Sequence, residues 1–74
     1  MSTKSDGYLV VIEKARRNYS AYVPDLPGCV ATGRTRQAAR QAIAAAIRMH
    51  VAGLREDGLP VPDPSTSAEL VRVA

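Results

Sequence analysis

The chain lacks any chemical cross-link that could hold a small core together. Among its 74 residues it contains one cysteine, Cys29, and one histidine, His50. A lone cysteine excludes an intrachain disulfide, and a lone histidine leaves a Cys/His zinc site short of ligands. A single core in a chain this short supplies only about 3–5 kcal/mol of stability. We therefore expect self-association, as a homodimer or a homotetramer, to bury further apolar surface.

The apolar residues are mostly small. Hydrophobic residues make up 46% of the sequence, but 12 of them are alanine, and there is no Phe or Trp. The formal net charge is +3, which permits contact with nucleic acid without requiring it. No segment has the apolar length of a signal peptide or a membrane span. These features predict a cytoplasmic protein that makes no contact with a membrane.

The order of apolar runs and breakers predicts one α+β domain with the order β-β-β-α-β. The expected strands and helix cover residues 8–13, 19–23, 29–32, 36–56 and 68–73, after a flexible leader at 1–7. Thr35 is a favourable N-cap for the helix, and Gly58 lies where a C-terminal glycine is expected. We expect a three- or four-stranded, mainly antiparallel sheet with the helix on one face.

Two features predict where copies of the chain would meet. The first strand is apolar on both of its faces, so the helix can cover only one of them. One side of the helix carries residues small enough for another backbone to approach closely. The predicted oligomer interface comprises Val10, Ile12, Ala42, Ala46 and Gly53.

No pattern typical of an active site occurs in the sequence. It contains no nucleophile elbow, no glycine-rich phosphate loop and no metal-ligand spacing. His50 lies on the apolar face of the helix, where we expect a packed, hydrogen-bonded ring, and Cys29 is expected to act as a small buried hydrophobe. For Asp25 the favoured role is a local bond to the backbone, and the alternative is to present a partner-binding loop. We predict a protein with no catalytic activity, bound metal or cofactor.

The basic residues fall in two groups, in the first hairpin and at the start of the helix. The favoured interpretation is a solvated rim, and the alternative is contact with phosphates or with an acidic patch on a protein partner. Positive charge at a helix N-terminus opposes the helix dipole, so the second group does not stabilise the helix in that way. The two groups are Lys14, Arg16 and Arg17, and Arg34, Arg36 and Arg40.

Three segments in a fixed order resemble the HicB-type antitoxin domain. They are YSAYVPDLPGC at 19–29 with VATG after it, the alanine-rich helix after Thr35, and GLPVPDPS at 58–65. The resemblance spans residues 8–73 and implies a partial ribonuclease-H-like fold. It also implies an oligomeric antitoxin that binds and masks a small HicA-type toxin, an mRNA-cleaving ribonuclease. Nuclease activity of the antitoxin itself is not implied, since that chemistry needs clustered carboxylates and these are scattered.

These expectations define the functional hypothesis. Residues 8–74 form an antitoxin domain, and no helix-turn-helix or ribbon-helix-helix domain for DNA binding is expected after it. The alternatives are a small oligomeric nucleic-acid-binding module, which would bind nucleic acid weakly or through a complex, and a metal-dependent nuclease of the ribonuclease-H kind. The predicted partner-binding residues are Tyr22, Pro24, Asp25, Leu26, Arg34, Arg36 and Arg40.

Overall fold

Three antiparallel strands precede one long helix in the computed structural model, which describes residues 7–73. The strands pair in the order β1-β2-β3. This confirms the α+β class, the antiparallel sheet and the single helix, whereas the predicted leader lies outside the described residues apart from Gly7. The elements are β1 (Val11–Lys14), β2 (Tyr19–Tyr22), β3 (Val30–Gly33) and α1 (Arg36–Glu56).

The predicted last strand, over residues 68–73, does not form. No backbone hydrogen bond joins residues 67–73 to the rest of the described chain. Leu70 is fully exposed and Val73 is 93% exposed. The alternation of side chains predicted an extended conformation, but a strand also needs a neighbour for its N–H and C=O groups. The order of described elements is therefore β-β-β-α.

Short turns with specific hydrogen bonds connect the strands. In the first hairpin the Ala15 N–H donates to the Asn18 carbonyl at 2.8 Å. The loop after β2 closes when the Val23 N–H donates to the Cys29 carbonyl at 3.2 Å, and Gly28 supplies the left-handed residue with φ 84°. This loop turns Leu26 inward, where none of its surface is exposed.

The helix begins and ends at the residues that the sequence predicted. The Thr35 hydroxyl accepts a hydrogen bond from the Ala38 N–H at 3.0 Å. At the other end the Leu59 N–H donates to the Leu54 carbonyl at 2.8 Å and the Gly58 N–H to the Arg55 carbonyl at 3.1 Å. Gly58 has φ 69°, so these two bonds form a Schellman motif, which satisfies carbonyls at the helix end.

The helix lies mainly over β3 and β2 and touches β1 least. Gly33, at the end of β3, permits this arrangement because a Cβ there would lie 2.8 Å from the Ala39 Cα. The helix-facing side of β1 is consequently only half covered. The buried core is small and contains Ala21, Val23, Leu26, Cys29, Ala39 and Ile43.

We predict that Gly33→Ala destabilises the fold. The added methyl overlaps the helix backbone, and overpacking of this kind costs about 1–3 kcal/mol of unfolding free energy. Gly53→Ala is the matched control, since nothing lies within 4 Å of a Cβ at Gly53 and the helix gains about 0.5–1 kcal/mol from alanine. Urea denaturation at one fixed protein concentration measures both changes. Equal stabilities of the two variants would contradict the close-contact explanation.

Candidate partner-binding surfaces

One face of the sheet carries an uncovered apolar row. The register pairs Val11 with Tyr22 and Tyr22 with Val30, so the three side chains lie side by side. Their neighbours along the strands, including Ile12 and Ala21, point to the helix and pack in or against the core. Val30 is 66% exposed and Tyr22 is 40% exposed. We call this row, together with Glu13, Ser20 and Thr32 beside it, the outer face.

Asp25 holds the segment after the helix against the sheet. Its Oδ2 accepts the N–H groups of Ser65 at 2.9 Å and Thr66 at 3.0 Å. Its Oδ1 accepts the hydroxyls of Ser65 at 3.1 Å and Thr66 at 2.7 Å. The Tyr8 hydroxyl also donates to the Pro62 carbonyl. The predicted local bond of Asp25 was wrong, because these partners lie 40 and 41 residues away.

These hydrogen bonds, which we call the clasp, favour the ionised carboxylate. The Thr66 N–H and hydroxyl contribute most, followed by the Ser65 N–H, and together they lower the pKa of Asp25 from 3.8 to about 2. The clasp fixes the chain up to residue 66, and residues 67–73 extend beyond it.

The predicted partner-binding residues do not form one continuous surface. Leu26 is completely buried and was wrongly predicted to contact a partner, because it is needed to fill the core. Asp25 is engaged within the chain. Pro24 is exposed just beyond Tyr22, so these two residues are available at the outer face.

The predicted arginines lie in two places. Arg36 has its Cζ 5.4 Å from the centre of the Tyr19 ring, and Lys14 has its Nζ 5.5 Å from the same ring. This cation–π contact gives Arg36 a role within the fold. Because Tyr19 pairs with Gly33, the first hairpin turn and the helix start lie at the same end of the molecule. The exposed cations of this basic end are Lys14, Arg16, Arg17, Arg34 and Arg36.

An open groove of about 1050 Å³ runs between the first strand and the helix. Its apolar surface comes from Val10 and Ile12 on the strand side and from Ile43, Ile47 and Val51 on the helix. A row of arginines from the helix, Arg40, Arg48 and Arg55, also lines it, and residues 61–64 lie at its edge. The groove exists because the helix is displaced toward β3.

The groove brings together predicted and unpredicted residues. Val10 and Ile12, predicted for an oligomer interface, both line it and also pack against the core. Ala46 packs against the core, and Ala42 and Gly53 are half-buried. Arg48 and Arg55 were not among the predicted site residues, although the spacings of eight residues from Arg40 to Arg48 and seven from Arg48 to Arg55 place all three on one stripe of the helix.

The lone cysteine and histidine lie close together near the start of β3. Cys29 is a free, buried thiol, and burial raises its pKa, which confirms its role as a small hydrophobe. His50 is half-buried beside it, and its ring makes no hydrogen bond to another described residue, unlike the bonded ring that was predicted. Within residues 7–73 there is no group of three or more His, Cys, Asp or Glu side chains placed to hold a metal.

Comparison with known proteins gives the family. The family described as HicB-like antitoxin of bacterial toxin–antitoxin systems matches residues 8–73, which is nearly the whole chain. The chain belongs to the HicB-like antitoxin family.

A relative from a bacteriophage is similar over part of its length. An uncharacterised 14.9 kDa protein from the rep-hol intergenic region of Haemophilus phage HP1 is 38% identical over 55 residues. The match covers 74% of this chain and 41% of the phage protein, so it spans less than half of that relative. No solved structure matches the chain significantly. No helix among residues 7–73 is long and apolar enough to cross a membrane.

We predict that the clasp opens in acid and on substitution of Asp25. The Asp25 carboxyl has a lower pKa in the folded protein, about 2, than its ordinary value of 3.8. The stability that the ionised carboxylate gives the fold is therefore complete well above pH 3.8 and is lost as the pH falls through about 2. Asp25→Ala should remove this pH dependence and speed amide hydrogen exchange at Ser65 and Thr66. Nuclear magnetic resonance measures that exchange directly. Glu13→Gln, at an exposed carboxylate, is the control and should leave the Ser65 and Thr66 amides protected. Slow exchange of these two amides in the Asp25→Ala variant would refute the clasp.

Proposed function

We propose that this antitoxin binds and neutralises a small HicA-type, mRNA-cleaving toxin through the outer face of its sheet. The observation that carries the proposal is the family match over residues 8–73. The partner's identity and the neutralising action go beyond that match. Neutralisation requires only that the antitoxin cover the toxin's RNA-binding or catalytic surface, so it needs no reactive group on the antitoxin.

The outer face has the composition of a protein-binding surface. Its centre is the apolar row of Val11, Tyr22 and Val30, and its border contains Glu13, Ser20 and Thr32. An apolar centre with a polar rim is the usual anatomy of protein interfaces. Tyrosine is enriched among residues that contribute most to binding, because its ring buries a large area and its hydroxyl keeps a polar contact. Pro24 extends this surface beyond Tyr22.

Co-expression with the protein encoded next to this antitoxin tests the function. Alone, that neighbour should arrest growth and degrade mRNA, and co-expression of the antitoxin should restore growth and recover a complex of the two proteins. A neighbour that is harmless, or that is toxic but neither bound nor suppressed, would refute the proposal.

The contact surface is tested by a pair of arginine substitutions. Val30→Arg places a charge in the apolar row at a side chain that is already 66% exposed, so the fold should be kept while toxin binding weakens at least tenfold. Ala45→Arg adds the same charge at an exposed helix residue outside the outer face and the groove, and should bind normally. Calorimetric titration against a catalytically inactive toxin compares them. Equal affinities would remove the outer face as the binding surface.

The basic end favours nucleic-acid binding as a second candidate function. Of the described residues, five cations gather there against one neighbouring carboxylate, Glu13. If all five cations contact phosphates of duplex DNA, a plot of the logarithm of the association constant against the logarithm of the salt concentration should have a slope of about −4.5. Arg34→Ala should then reduce the slope by about 1, whereas Arg72→Ala, outside the basic end, should not. Fluorescence titration with duplex DNA and with RNA measures this, and salt-independent or absent binding would exclude the second function.

A further inference from the structure

Residues 67–73, which we call the arm, extend from the clasp without a partner among the described residues. Leu70 is fully exposed and Val71 is 77% exposed. The alternating residues of Ala68 to Val73 favour a strand. In the single chain these apolar side chains stay in water, so they contribute no hydrophobic stabilisation. The unpaired N–H and C=O groups of the arm can form hydrogen bonds with the edge of a sheet.

A sheet edge of matching character lies beside the groove. Among residues 7–73, β1 pairs only with β2, so it is an edge strand of the described sheet. Its helix-facing residue Ile12, with Val10 before it, forms part of the apolar surface of the groove. A strand added next to β1 would therefore complete the sheet and cover the groove at the same time.

We propose that the arm of one copy pairs with the β1 edge of a second copy, so that two chains exchange arms in a symmetric dimer. Each sheet then gains a fourth strand, and each groove is covered by the partner's arm. Because the dimer is symmetric, the contact between arm and groove occurs twice, and the buried area is twice that of one contact. The proposal is independent of the toxin and does not use the outer face as its contact surface.

Dimensions support the arm as the occupant of the groove. Six residues in a strand span about 20 Å at about 3.3 Å each. The groove follows the helix from Arg40 to Arg55, a rise of about 22 Å at 1.5 Å per residue. The arm is thus long enough to cover the groove.

The side chains of the arm also fit the two sides of the edge. Glu69, Val71 and Val73 share one side of a strand. With that side toward the helix, the valines lie on the apolar surface of the groove and Glu69 lies near its arginines. Leu70, on the opposite side, then lies next to Val11 and extends the apolar row of the outer face.

Mixing a variant with a disrupted arm and a variant with an obstructed groove tests the exchange. Sedimentation should give the wild-type chain twice its 7.9 kDa mass. Val71→Asp disrupts the arm, and Ala44→Arg obstructs the groove that Ala44 lines. Each variant alone should be a folded monomer by circular dichroism. Their mixture should form a heterodimer that is weaker than the wild-type dimer, because one of the two contacts is kept: the intact arm of the groove variant meets the intact groove of the arm variant. Ala45→Arg, one residue away and outside the groove, should remain a dimer.

A monomeric wild-type chain would overturn the proposal, as would a dimer that survives Val71→Asp. Failure of the mixture to form heterodimers while both variants stay folded would also overturn it. If Val71→Asp abolishes toxin binding and the free antitoxin is monomeric, the arm binds the toxin and arm exchange is wrong. If Val71→Asp gives a monomer that still binds toxin and Val30→Arg does not bind it, both proposals stand separately.

Discussion

The close approach of the helix to β3 determines where the molecule is covered and where it is open. Gly33 has no side chain to hold the helix away, and alanine on the helix side makes the contact equally tight. A single helix placed over β3 cannot also cover β1, because helices pack with their axes about 8–10 Å from a neighbouring helix and cover a similar width of sheet. The groove beside β1 follows directly from that placement.

The loop between β2 and β3 joins the sheet to the segment that follows the helix. Leu26 fills the core from this loop, while Asp25, its neighbour, accepts four hydrogen bonds from Ser65 and Thr66. Adjacent residues thus point inward and outward, because the turns that close the loop fix their directions. A chain with so few large core residues depends on this loop, since it supplies one of the two largest fully buried side chains.

Local signals in the sequence were sufficient for the three strands and the helix but not for the contacts between distant segments. Thr35 and Gly58 identify the helix ends because a cap is a contact among neighbouring residues. Asp25 was assigned a local bond because no local pattern shows that Ser65 and Thr66 come back to it. Leu26 was taken as an exposed loop residue for the same reason, since burial depends on where the helix is placed. The predicted final strand does not form because residues 68–73 pair with no strand among residues 7–73, and no local pattern shows where such a segment will lie.

The two proposed surfaces are compatible because they lie on opposite sides of β1. Val11 belongs to the outer face, and its neighbour Ile12 faces the groove. An arm paired with β1 would occupy the groove side with its valines and would present Leu70 beside Val11 on the other side. The apolar row would then extend from three side chains to four, across a sheet of four strands. Dimerisation by arm exchange would therefore enlarge the proposed toxin-binding surface instead of competing with it, because alternate residues of a strand face opposite sides.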